Sequence, residues 1–123
     1  MQIRWAVFGP GVIVAATGAW AFFAPSSFYD SVATYPPYNE HLFHDIGAFM
    51  LGLGAALVLT AWTLDAISIA LGANAVAAIF HAWSHIADRG QGGRASDPLM
   101  MSLVAVFFIA LFARRIMRRQ TEA

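Results

Sequence analysis

The sequence predicts an all-α membrane protein: a four-transmembrane-helix bundle with both termini cytoplasmic. Three observations lead there. Hydrophobic residues fill 59% of the 123 positions and charged residues only 11%, against roughly 25% charged in an average soluble domain. A water-soluble core of this size cannot enclose that much apolar surface, so lipid must cover it. The apolar residues also fall into four stretches, each long enough at about 1.5 Å per residue to cross a hydrocarbon layer roughly 30 Å thick. Finally, all seven basic residues are arginine, and Arg4, Arg114, Arg115, Arg118 and Arg119 flank the first and last stretches. The positive-inside rule puts those flanks in the cytoplasm. The whole chain, 1–123, reads as one membrane domain.

The elements follow in order. Span one, about 5–23, carries a stripe of small residues, Gly11, Ala15 and Gly18, that permits close helix packing. Ala19-Trp20-Ala21 makes only a weak cleavage site, so the span reads as a retained signal anchor. Pro25-Ser26-Ser27 then starts a short helix, with Ser26 as cap and Phe28, Tyr29 and Val32 along the membrane surface. Pro36-Pro37 stops helix and stiffens the approach to span two. Span two, about 39–62, has Asn39 as cap and its own small stripe of Ala48, Gly52 and Ala55. Thr63-Leu64 is a tight turn. Span three, about 65–88, has Asp65 as cap and Ala70, Ala73 and Ala77 as small residues. A flexible turn over 90–93 and an Asp97-Pro98 start lead to span four, about 98–117.

On this topology the loops at 24–38 and 89–97 are extracytoplasmic. Trp5 and Trp62 suit the inner interface; Trp20, Tyr29, Tyr35 and Tyr38 suit the outer one. The arginine tail also suits anionic lipids. The absence of cysteine excludes disulfides, thiolate metal sites and iron–sulfur clusters. Zero net charge with no basic stripe speaks against a nucleic-acid partner.

Two polar runs interrupt the apolar chain: Glu40-His41-Leu42-Phe43-His44-Asp45 and His81-Ala82-Trp83-Ser84-His85-Ile86-Ala87-Asp88. They contain all four histidines and three of the seven acids. Ionisable groups inside a span are costly and point to a function. At helical spacing His41, His44 and Asp45 occupy one arc of about 100°, and His81, His85 and Asp88 share a narrower one that Asn74 continues inward. The short turn makes spans two and three antiparallel neighbours. Counted from Leu64, His44 is 20 residues before and His85 is 21 after, while His41 is 23 before and Asp88 is 24 after. His44 and His85 are therefore expected side by side.

Imidazoles with carboxylates suit a transition-metal ion, with zinc, iron and copper all compatible. The candidate ligands are His41, His44, His81, His85, Asp45 and Asp88, with His44, His81 and His85 preferred. Glu40, Asn74 and Ser84 are candidates for ligation or for orienting the imidazoles. A metal-dependent enzyme acting on a lipid-like or quinone-like substrate is one use of such a site; hydrolytic and redox roles are not separable from sequence. Haem b held by His44 and His85 is a second reading. A metal-free structural or ligand-binding subunit, in a homo-oligomer or larger membrane complex, is a third. The protein is expected in the cell membrane as a multi-pass chain, in contact with the bilayer and with a lipophilic small molecule, its polar cluster on the extracytoplasmic side.

The order Gly18-Ala-Trp, Pro25-Ser-Ser-Phe-Tyr, Pro36-Pro-Tyr-Asn-Glu-His, Asp45-Ile-Gly-Ala, then His81, His85 and Asp88 resembles a group of small four-span bacterial membrane proteins. These are distantly similar to DoxX-like proteins. The resemblance covers most of the chain and implies a four-helix membrane bundle. DoxX-like proteins are linked with quinone redox chemistry, but no motif here carries that activity to a named residue.

Overall fold

Local capping chemistry sets most of the helix boundaries. The computed structural model describes residues 2–91 and 93–122, with side chains over 7–91 and 93–121. The side chains of Arg4 and Trp5, and position 92 of the expected flexible turn, lie outside the described residues. The helices are α1 (Gln2–Phe23), α2 (Pro25–Ser31), α3 (Glu40–Trp62), α4 (Ala66–Ala87) and α5 (Asp97–Glu122), with a single 3₁₀ turn at Arg89–Gln91. Asn39 Oδ1 accepts the Leu42 N–H at 3.1 Å, and Asp65 Oδ1 accepts the Ile67 N–H at 3.2 Å. Each satisfies a donor that the first helical turn leaves without a partner.

Three expectations are corrected. Ser26 does not cap the short helix. That helix starts at Pro25, so Ser26 lies inside its first turn, and Ala24 precedes it without a side-chain bond. Phe28 does not lie along the surface either; it turns inward against Ala21 and Phe43. The last helix also runs past 117, to Glu122. Arg115 and Arg119 anchor this extension. Arg115 donates to Asp65 from Nε at 3.0 Å and Nη2 at 3.3 Å, and Arg119 Nη1 lies 3.4 Å from Asp65 and 3.2 Å from Thr63 Oγ1.

Three helices, α3, α4 and α5, are long and apolar enough to cross a membrane, and α1 taken with α2 makes a fourth candidate bent by 114°. The chain is an all-α, multi-span membrane protein. Leu103, Val106 and Phe107 of α5 are exposed, as suits a helix bordered by lipid.

Packing follows chain order: α1 against α3, α3 against α4, α4 against α5. Small residues set the first two contacts. A Cβ added at Gly54 would lie 2.7 Å from the Ala15 backbone nitrogen, and one added at Gly47 would lie 2.7 Å from the Gly18 carbonyl oxygen. On the other side of α3, a Cβ at Gly52 would lie 2.7 Å from Ala77 Cβ. Each of these packed pairs is antiparallel: Gly11 meets Leu57 where Gly18 meets Met50, Gly52 meets Ala77, and Asp65 meets Arg115 where His85 neighbours Pro98. The C-terminal ends of α1 and α4 therefore gather with the N-terminal ends of α3 and α5, and this end holds every histidine. The arginine tail and Asp65 lie at the opposite end.

Candidate metal centre

Asp88 organises the cluster. It is the residue at which α4 stops, its backbone N–H donating to the Ser84 carbonyl at 2.8 Å. An acid opposes the helix dipole at that position, so the helix itself gains nothing from the carboxylate. The α3 histidines do. Asp88 Oδ2 accepts from His41 Nδ1 at 2.9 Å and from His44 Nδ1 at 2.6 Å, and Oδ1 accepts from Gln91 Nε2 at 3.1 Å. Three donors compensate a carboxylate that is only 7% exposed. An ionised carboxylate only accepts, and opposite one each imidazole would carry its proton at Nδ1. In the neutral tautomer His41 Nε2 is then left with a free lone pair.

That nitrogen faces the second carboxylate. His41 Nε2 lies 3.5 Å from Asp45 Oδ2, and His81 Nε2 lies 3.5 Å from Asp45 Oδ1. His81 Nε2 and His85 Nε2 are 3.1 Å apart, and the His41 and His85 rings stand 4.8 Å apart between centroids. Ser84 Oγ is within hydrogen-bond distance of Asp45 Oδ1 at 2.9 Å and of the His81 carbonyl at 2.8 Å, and its one proton serves either. His41, Asp45 and His85 each offer a ligand atom within 4.8 Å of the other two, so this triad can hold a metal ion.

The remaining candidates are placed as follows. His81 adjoins the triad through both Asp45 and His85. His44 and His85 are not side by side. His44 turns toward α1, its ring 5.2 Å from that of Phe22. His85 turns toward the α5 side, where it lines an open cavity with Asp97 and Pro98. The heights match as counted, since His41 meets Asp88 and Gly52 meets Ala77. What separates the two histidines is direction around the helix axis. Glu40 reaches the cluster only through Gln91, whose Nε2 lies 3.2 Å from Glu40 Oε2. Asn74 bonds within its own helix, its Nδ2 donating to the Ala70 carbonyl at 2.9 Å, and lines a small cavity together with His81.

Three contributors escape a reading of the sequence. Gln91 sits in a glycine-rich turn that gives no sign of docking. Phe22 and Phe49 place rings 5.2 Å from His44 and His81 respectively, and nothing distinguishes them from ordinary apolar residues in a span. Tyr38, nearby in the loop, has its phenol pushed up by desolvation and then by Glu40, Asp30 and Asp88, so carboxylates set the potential there. No family model matches the chain, and no curated protein or solved structure shows significant similarity to it.

Proposed function

We propose that this protein holds one transition-metal ion between α3 and α4, with His41, Asp45 and His85 as ligands and His81 completing a set of four. The observation that carries the reading is the run of spacings from His41 Nε2 to Asp45, to His81 Nε2, to His85 Nε2, at 3.5, 3.5 and 3.1 Å. Ligands about 2.0–2.2 Å from a tetrahedral ion lie about 3.3 Å from one another. Asp88 then takes the orienting position behind His41 that carboxylates occupy in metal centres. Three imidazoles and a carboxylate favour zinc or non-haem iron over the soft-ligand preference of Cu(I). Such an ion supplies Lewis acidity or redox chemistry next to the membrane interface, which suits an enzyme acting on a lipid-like or quinone-like substrate.

The same reading has four crossings, α1 with α2 counting as one, and the metal end extracytoplasmic. The Arg115–Asp65 contact supports this, because it fixes the arginine-rich end opposite the histidines. Haem b gains no support: His44 bonded to Asp88 at 2.6 Å and Ser84 bonded to Asp45 at 2.9 Å tie α3 to α4 across the strip a porphyrin would need.

One observation favours a second, metal-free reading. Among the described residues, every buried side-chain nitrogen and oxygen already has a hydrogen-bond partner, so the network can hold α3 and α4 together unaided. Metal analysis with an absorption spectrum of the purified protein decides between them. The metal reading expects about one equivalent of bound ion, lost in His85→Ala and kept in Asp30→Ala, which alters an exposed acid at the same end. Less than about 0.2 equivalents after expression in zinc- and iron-replete medium sinks it, given the tight binding of built sites.

A further inference from the structure

The cavity above the triad carries two cations that the metal centre does not use. Its volume is about 600 Å³, and His41, His85, Asp88, Asp97, Arg89 and Arg94 are among its walls. Asp88 and Asp97 share its walls, and their oxygens, like those of Glu40 nearby, already accept hydrogen bonds. Asp88 serves His41, His44 and Gln91, Glu40 takes the Gln91 amide, and Asp97 Oδ2 accepts the Arg94 backbone N–H at 2.7 Å. Among the described residues neither the Arg89 nor the Arg94 guanidinium has an ion-pair partner, in contrast to Arg115 and Arg119 at the other end. Two guanidinium groups facing an open polar cavity suit an oxyanion, which each can engage through paired N–H donors.

A second, smaller cavity of about 110 Å³ lies deeper along α4. Phe49, Asn74, Ala77, His81, Val104 and Phe108 are among its walls, which are apolar apart from the Asn74 amide and the His81 ring. It lies about one helical turn along from the upper cavity on both α4 and α5: His85 and Pro98 line the upper one, His81 and Met101 the lower. A charged chamber at the histidine end is thus followed, a turn further along, by a mainly apolar cleft between α3 and α5.

We propose that these two cavities bind one anionic amphiphile, a carboxylate or phosphate headgroup on a hydrocarbon chain. The headgroup lies between Arg89 and Arg94 over the triad, and the first part of the chain occupies the cleft below His81. This rests on the metal reading for what lies beneath the headgroup, while the arginines and the cleft stand apart from it.

Calorimetric titration of the full chain in non-ionic detergent tests this with three probes: hexyl phosphate, inorganic phosphate and hexyltrimethylammonium. Hexyl phosphate is expected to bind at least about tenfold more tightly than inorganic phosphate, the gain from burying two methylenes, and the ammonium probe is expected not to bind. Arg89→Gln with Arg94→Gln should weaken hexyl phosphate about tenfold or more. Val104→Trp alters an exposed position and fills the cleft; it should remove the advantage of the chain and leave inorganic phosphate unchanged. Equal affinity for the two phosphates would mean a free anion site and overturns the amphiphile. Unchanged hexyl phosphate affinity in the double arginine variant overturns the headgroup site. Metal content measured on the same samples separates the two readings. Metal without hexyl phosphate binding defeats this inference alone. Arginine-dependent hexyl phosphate binding without metal defeats the metal centre alone, and neither signal defeats both.

Discussion

Replacing Asp88 by asparagine separates the charge of the orienting carboxylate from its shape. In the native protein Oδ2 accepts two imidazole N–H groups, at 2.9 and 2.6 Å, and Oδ1 accepts the Gln91 amide at 3.1 Å. Asparagine offers one acceptor oxygen and one donor NH₂. If the oxygen faces the histidines, the NH₂ faces the Gln91 donor; if it is reversed, two N–H groups face a third. Either way the negative charge that fixes His41 with its proton on Nδ1 is gone. Loss of such an orienting group costs about 10–100-fold in metal affinity, which is about 1.4–2.8 kcal/mol. The assay is competition for zinc or Fe(II) against a chromophoric chelator, with circular dichroism confirming that α3 and α4 stay helical. A folded Asp88→Asn protein that binds metal within about twofold of the native chain refutes the orienting role, since that lies well below the expected range.

Two further outcomes follow from contacts elsewhere. Gly47→Ala places a Cβ 2.7 Å from the Gly18 oxygen and 2.8 Å from the Phe22 nitrogen. Both are backbone atoms that cannot swing aside, so the variant should lose about 1–3 kcal/mol in denaturant unfolding; Gly9→Ala, with nothing within 4 Å, should lose none. Asp65 has its carboxyl held well below its usual 3.8 by the Arg115 guanidinium and then by the Ser68 hydroxyl. A depressed carboxyl stabilises the fold above its unfolded value, and that contribution disappears as acid protonates it. The melting temperature should therefore fall below about pH 4 in the native chain and fall less steeply in Asp65→Asn. Parallel acid limbs for the two proteins would remove Asp65 from the account.

The parts of this molecule legible in its sequence are those decided within a few residues. Asn39 and Asp65 meet donors two or three positions away, so the starts of α3 and α4 can be read directly. The phase of the histidines on each helix is equally local. Height is legible too, because a turn as short as 63–65 leaves little freedom in how two antiparallel helices slide. What the chain does not announce is which third helix each flank meets. His44 faces α1 and His85 faces α5, a choice set by glycine contacts at Gly18, Gly47 and Gly54 on the far side of α3. That choice moves His44 out of the ligand set and brings His41 in. The Arg115–Asp65 pair spans 50 residues, and Gln91 docks from a turn whose composition signals only flexibility. Neither leaves a pattern that periodicity can detect.

The two ends of the bundle differ in a way that gives the protein a sense of direction. One end is tied shut by Asp65 with Arg115 and Arg119. The other holds a charged chamber, and the rings of Phe22 and Phe49 pack against His44 and His81 beside it. The chamber is the approach by which a hydrated ion would come to the histidines. Were the histidines to hold an ion, its occupancy would follow the metal supply on whichever side of the membrane that chamber faces.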